Sequence, residues 1–296
     1  MNKNNVEIAQ YHLHKEHPEK LQFQIHDLNA YRKKSGHLAA KAHSHSYYQI
    51  IWFFDQEGTH TVDFETYEIK KNSILFITKD AIHAFDDNLN VNGWLIHFNE
   101  SFFMHNDVDI FLKYNIFNSL GNSFYEMDKE TINTISSYIT LMQNEMQRKH
   151  LFGYEDLIRF SLKSFLIILE RIHQGGKRYI KFSSRNELLF AKYKNLVEEN
   201  YAKNLTINKY AAILNISSKT LTNITKEIVG KPASKIIAER IVLEAQRLLR
   251  FTSLQISEIA FKVGFEDASY FVKYFKRHIG VSPSHYRASS LLEFSK

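Results

Sequence analysis

The stretch QISEIAFKVGFEDASYFVKYFKRHIGVSPSHYR (residues 255–287) decides the fold, because its parts occur earlier as TINKYAAILNISSKTLTNITKEIVGKPAS (residues 206–234). Ala211 aligns with Ala260, Leu214 with Val263, Asn215 with Gly264 and Ile216 with Phe265. After one inserted residue, Leu221 aligns with Phe271, Lys226 with Lys276 and Gly230 with Gly280. A recurrence at about fifty residues marks an internal structural repeat. Each copy predicts a short helix carrying an alanine, a tight turn at Asn215 or Gly264, and a second helix ending at Gly230 or Gly280. Asn and Gly tolerate the positive φ such a turn needs, and Ala211 or Ala260 is small enough for the helices to approach closely. Thr206 and Ser257 suit N-cap or first-turn positions of the leading helices, and Ser217 and Asp267 those of the trailing ones. Leu221, Ile224, Phe271, Tyr274 and Phe275 recur at helical spacing and are expected in the core.

Between the copies, PASKIIAERIVLEAQRLLR (residues 232–250) reads as a connecting helix with Ile236, Ile237, Ile241, Ala245, Leu248 and Leu249 as its buried stripe. A tandem pair of helix-turn-helix patterns is far more specific than a single one. The charge distribution agrees: residues 1–177 carry 18 basic and 22 acidic side chains, and residues 178–296 carry 20 and 10, a net of +10. A basic segment of this size suits a phosphate-binding surface, although a solvated basic face would show the same charge.

Upstream the pattern is different. QFQIHDL, YYQIIWFF, HTVDFETYEI, SILFITKD and NGWLIHFN, between residues 20 and 100, are short aromatic and β-branched runs separated by polar turns, which predicts a β-barrel or sandwich. From Asp128 the period becomes helical through Ile132, Ile135, Ile139, Met142 and Met146, then through Leu157, Phe160, Leu162, Phe165, Leu166, Leu169 and Ile172, stopping near Gly175 and Gly176. The expected organisation is an N-terminal domain over residues 1–174, with strands at about 20–100 and helices at about 129–173. A linker over 175–187 and an all-α domain over 188–296 follow. The 296 residues suffice for two cores. No secretory leader or membrane-spanning run is visible, and the absence of cysteine removes disulfides and thiolate metal sites. A cytoplasmic location is expected.

Residues 190–288 resemble the DNA-binding domain of the AraC/XylS family of bacterial transcription regulators. AERIVLEAQRLL (residues 238–249) carries part of the resemblance. The rest lies in Gly264, Phe265, Ser269–Phe271, Phe275, Lys276, Gly280, Pro283, Tyr286 and Arg287. The first unit departs from the family pattern, with Asn223 where Arg is common and Thr225 where a core Phe is common. The resemblance implies base-facing positions at Ser218, Lys219, Thr222 and Asn223, and at Ala268, Ser269, Val272 and Lys273. Asn223 suits adenine, Lys273 a guanine edge and Val272 a thymine methyl, while Lys226, Lys276 and Arg277 suit phosphate. It also implies double-stranded DNA and RNA polymerase as partners.

The first half resembles, more weakly, the cupin-like effector domain of the same family, through HSHSYYQIIWF (residues 43–53) and NSILFITKDAIHAF (residues 72–85). The fold class expected is therefore α+β: a cupin-like barrel with trailing helices, and tandem helix-turn-helix units joined by a helix. In metal cupins a His-x-His, a Glu and a later His face inward together. Here the set is His43, His45, Gln49 and His83, and because glutamine is a poor ligand no metal or other cofactor is assigned. The same parity places Tyr47, Ile51 and Phe53 inward, so His43, His45, Tyr47, Gln49, Ile51, Phe53 and His83 form a candidate pocket for a small molecule. Lacking a cluster of Arg or Lys, the pocket suits a neutral or weakly charged effector. In the family, helices after the barrel pair two subunits, which makes Ile135, Ile139, Met142, Leu162, Phe165 and Leu169 candidates for a homodimer seam or for packing on their own barrel. The leading expectation is an effector-controlled, sequence-specific activator without enzymatic activity. A constitutive DNA binder whose barrel only dimerises, and a metal-cupin enzyme fused to a DNA-binding domain, are the competing classes.

Overall fold

The computed structural model describes residues 8–17, 19–35, 41–54, 58–85, 91–103, 114–117, 124–174 and 185–293. The chain divides into two compact units, with residues 9–180 in one and residues 181–296 in the other. Of the predicted linker over 175–187, residues 175–184 lie outside the described residues.

The first unit holds β1 (Ala9–Tyr11), β2 (Phe23–Asp27), α1 (Leu28–Ser35), β3 (His43–His45), β4 (Tyr48–Phe53), β5 (Thr59–Val62), β6 (Glu65–Glu68), β7 (Ser73–Ile77), β8 (His83–Phe85), β9 (Gly93–Phe98) and β10 (Phe124–Glu126). Two helices follow, α2 (Lys129–Met146) and α3 (Tyr154–His173). The strands form two five-stranded sheets, in the orders β1-β3-β8-β5-β6 and β10-β7-β4-β9-β2. The expected barrel or sandwich is thus a pair of facing sheets, and β1 and β10 extend the strand region beyond residues 20–100 on both sides. Both are three-residue strands too short to show an alternating pattern.

The second sheet is buried on both faces. Ile51, Phe53, Leu75, Ile77 and Leu95 pack with Val62 and Phe85 of the first sheet. The alternate residues Tyr48, Ile50, Trp52, Ile74, Phe76, Ile96 and Phe98 share a cluster with α2 and α3. The apolar run Ile50–Phe53 of β4 follows, since a strand segment covered on both sides cannot alternate with polar residues. Asp128 caps α2, its carboxylate accepting from Thr131 N at 2.8 Å. Ile135, Ile139, Met142, Leu162, Phe165 and Leu169 are 0–1% exposed and belong to this cluster, so they pack on their own sheet. Exposed apolar residues of the pair are Leu141, Leu157, Phe160 and Ile167, the last three sharing one stripe of α3.

The second unit is helical throughout: α4 (Arg185–Asn200), α5 (Ile207–Ile213), α6 (Ser218–Val229), α7 (Ala233–Phe251), α8 (Ile256–Lys262), α9 (Ala268–Ile279) and α10 (Pro283–Glu293). It has two cores. Tyr193, Val197, Tyr210, Ala211, Leu221 and Ala233 form the first, with Ile236 and Ile237 against it. Ala245, Leu249, Ile259, Ala260, Val263, Phe271 and Phe275 form the second, with Ile241 and Leu248 against it. The stripe of α7 is therefore split, its first turns serving one helix-turn-helix and its later turns the other. Arg240 lies near this division with its side chain 6% exposed, its guanidinium donating to Glu198 of α4 at 2.8 Å and to Glu244 at 3.0 Å. These two carboxylates keep a buried guanidinium charged and tie α4 to α7.

Candidate nucleic-acid interface and histidine cluster

The two helix-turn-helix units match at the level of individual hydrogen bonds. After α5, Asn215 N donates to Ala212 O at 3.0 Å and Ile216 N to Ala211 O at 3.0 Å. After α8, Gly264 N donates to Phe261 O at 3.1 Å and Phe265 N to Ala260 O at 2.9 Å. The turn residues have φ of 54° at Asn215 and 92° at Gly264. Trailing helices α6 and α9 end at Gly230 and Gly280, whose N–H groups donate to the Lys226 and Lys276 carbonyls.

Helix starts match the composition. Thr206, Ser217 and Asp267 accept from Lys209 N, Thr220 N and Ser269 N respectively. The cap of α8 is Gln255, in a reciprocal capping box with Glu258, and Ser257 sits in the first turn.

This frame sorts each trailing helix into two faces. On α6, Leu221, Ile224 and Thr225 are buried, Lys219, Asn223 and Lys226 are exposed, and Ser218 and Thr222 are half-buried. On α9, Phe271 and Phe275 are buried, Ser269, Lys273, Lys276 and Arg277 are exposed, and Ala268 and Val272 are half-buried. Tyr274, expected in the core, is half-buried and packs with its ring tilted against Phe265, centroids 5.0 Å apart, while the Arg277 guanidinium lies over its ring at 5.3 Å. Thr225 occupies the position of Phe275 and is 0% exposed, its hydroxyl donating to Thr222 O at 3.1 Å. A buried hydroxyl satisfied by its own helix stays in the core at little cost.

In the first unit the structure gathers histidines from several strands. His43 of β3 sits directly opposite His83 of β8, and His45 lies two residues further along the same face. Directly opposed antiparallel residues hold their Cβ atoms about 5 Å apart, so the imidazoles meet. One ring nitrogen from each of His43, His45 and His83 lies within 4.8 Å of the others. His83 Nε2 and His45 Nδ1 share a hydrogen bond at 3.1 Å, and His83 Nδ1 shares another at 3.1 Å with His60 Nε2 on β5. His43 Nδ1 donates to Lys41 O at 2.8 Å. Gln49 Oε1 accepts from His97 Nε2 at 3.0 Å, and Tyr47 stacks on His45 with ring centroids 4.5 Å apart. Ile51 and Phe53 lie deeper along β4, in the apolar packing between the sheets.

Burial disfavours the imidazolium form throughout the cluster: His45 is pushed down to about 2, His60 to about 3, and His83 and His97 well below their ordinary value. At neutral pH these rings are uncharged. His60 and His97 were not singled out from sequence. Their signal was strand parity, since His60 alternates with the half-buried threonines Thr59 and Thr61 as Val62 does, and His97 shares the face of Leu95.

The fold and exposed helix faces define a tandem helix-turn-helix DNA-binding protein. A helix-turn-helix domain family model matches residues 210–289. The chain is 34% identical over 93 residues to the transcriptional activator AarP of Providencia stuartii, covering 31% of this chain and 69% of that one. It is 20% identical over 249 residues to the activator RhaS of Enterobacter sp. (strain 638), covering 83% and 86%. A solved AraC-type regulator structure from Chromobacterium violaceum aligns at 25% identity with a TM-score of 0.32, over 34% of this chain and 91% of that one. The chain belongs to the AraC-type family of transcription regulators, and is a regulator rather than an enzyme. Among the described residues, no helix is long and apolar enough to cross a membrane.

Proposed function

We propose that this protein is a sequence-specific transcription activator whose N-terminal domain binds a small effector and pairs two subunits. The repeated exposed face of α6 and α9 carries the reading. Ser218, Lys219, Thr222 and Asn223 read one major-groove segment, and Ala268, Ser269, Val272 and Lys273 the next. Lys226, Lys276 and Arg277 hold phosphates and position the helices without reading sequence. Recognition helices joined by one rigid helix suit two contact zones about 34 Å apart, one helical turn of DNA. AarP and RhaS are named activators, which supports activation and, through it, contact with RNA polymerase.

The effector site is the histidine end of the paired sheets, with His43, His45, Tyr47, Gln49 and His83 as its polar wall and Ile51 and Phe53 as its apolar floor. Effector control requires different affinities for two arrangements of the protein. The homodimer seam is the stripe of Leu157, Phe160 and Ile167, since Ile135, Ile139, Met142, Leu162, Phe165 and Leu169 are consumed by the sheet.

Selection of binding sites from a genomic DNA library, at several salt concentrations, tests the DNA reading. The expected result is a two-part site whose affinity falls steeply with salt. Asn223→Ala and Lys273→Ala should each relax base preference in one zone only. Equal binding to all sequences would refute specific regulation.

A further inference from the structure

We infer that His43, His45 and His83 form a three-nitrogen binding site for a divalent first-row transition-metal ion of the zinc or cobalt type, with His60 as the residue that positions His83. The inference concerns the proposed effector region but rests on histidine geometry alone.

Four observations carry it. Metal–imidazole bonds of about 2.0–2.1 Å at angles near 90–109° place ligating nitrogens roughly 2.9–3.4 Å apart. The 3.1 Å between His83 Nε2 and His45 Nδ1 falls in that interval. Bringing His43 into the same shell takes roughly 1–2 Å of ring movement, within the reach of side-chain torsions.

The second observation is that His43 is already set for ligation. Its Nδ1–H donates to Lys41 O at 2.8 Å, which leaves Nε2 as a lone pair. A ligating imidazole is ordinarily oriented by such a bond from its other nitrogen. His83 has the same arrangement, with Nδ1 toward His60 Nε2 at 3.1 Å and Nε2 toward the cluster.

Third, the histidine relay is compatible with ligation. The chain His60–His83–His45 links neutral rings through buried ring nitrogens. A metal ion accepts the His45 Nδ1 and His83 Nε2 lone pairs at once, while His60 Nε2 accepts from His83 Nδ1–H and keeps that ring oriented.

Fourth, the donor set selects the ion. Three neutral imidazoles suit zinc, cobalt, nickel or copper and not magnesium or calcium, which take oxygen ligands. Gln49, the amide at the expected carboxylate position, has its oxygen engaged by His97, so three nitrogens bind and the remaining coordination positions stay open.

The test uses the full chain without a polyhistidine tag, stripped with chelator and titrated with Co²⁺ and then Zn²⁺. The expected result is one equivalent per chain, with visible Co²⁺ absorption bands of a nitrogen-ligated site and displacement of Co²⁺ by Zn²⁺. His83→Ala and His45→Ala should abolish the bands, and His60→Ala should weaken affinity about 10- to 100-fold while keeping one equivalent. His150→Ala, a surface control, should change nothing. If the cluster variants fail to fold by circular dichroism, the parent protein still decides: absence of the Co²⁺ bands, or weak binding of several equivalents, overturns the site. Bands unchanged in a folded His83→Ala variant overturn it equally. A protein that takes up one metal ion but shows no site-specific DNA binding leaves this inference standing and removes the regulator reading, so the two fail separately.

Discussion

Gly264 and Gly280 share a φ of 92°, yet they differ in what surrounds them, which makes them a controlled pair. A Cβ at Gly280 meets nothing within 4 Å. At Gly264 it lies 2.4 Å from Ala202 O, 2.8 Å from the Ala202 carbonyl carbon and 3.1 Å from its Cα. Ala202 belongs to the short turn Tyr201–Lys203 that leads into the first helix-turn-helix, so the atoms in the way are backbone and cannot rotate aside. Either alanine substitution carries the left-handed backbone penalty of an L residue, about 1–2 kcal/mol. Gly264→Ala must in addition move one backbone segment by roughly 1 Å, an overpacking cost of about 1–3 kcal/mol. The expected losses are therefore about 1–2 kcal/mol for Gly280→Ala and about 2–5 kcal/mol for Gly264→Ala. Urea unfolding followed by far-ultraviolet circular dichroism measures both. Tryptophan fluorescence serves as the internal control, since Trp52 and Trp94 both lie in the N-terminal unit and should report an unchanged transition. If the two variants lose stability within about 0.5 kcal/mol of each other, close approach to Ala202 is not what demands glycine at this turn.

Arg240→Ala removes the guanidinium that joins Glu198 to Glu244 and should destabilise the helical unit by about 2–4 kcal/mol in the same urea titration; a loss under 1 kcal/mol would mean the network is idle. Phe160→Lys should turn a dimer into a monomer in sedimentation while leaving the far-ultraviolet circular dichroism of the fold unchanged, because the side chain is 58% exposed within its own chain; an unchanged mass would move the seam elsewhere. Lys276→Ala should weaken binding to every DNA sequence alike and reduce the salt slope by about 1, whereas Lys273→Ala should change base preference at one zone; the reverse pattern would exchange their roles.

Much of the second unit was legible in the chain because its signals are local. A turn at Asn215 or Gly264 and helix ends at Gly230 and Gly280 follow from φ preferences that neighbouring residues express by themselves. The alternation of Leu221 and Phe271 with exposed Lys219 and Ser269 follows from the helical period. Even there, Tyr274 was placed too deep and the split of the α7 stripe was invisible, since periodicity states which face is buried but not what covers it.

The sheet unit shows the opposite case. Strands of five or six residues such as β4 and β7 announce themselves by composition, whereas β1, β3, β8 and β10 have three residues each and exist through their partners. The burial of α2 and α3 against the second sheet, instead of at a seam, depended on which face of β4 lay open to them. The gathering of His43, His45, His60 and His83 is tertiary in the same sense, for His83 stands 38 residues from His45. Strand parity alone states that each histidine faces inward. Only the register of β3, β5 and β8 brings their rings together, because hydrogen bonding between strands fixes positions along the sheet that no local sequence preference encodes.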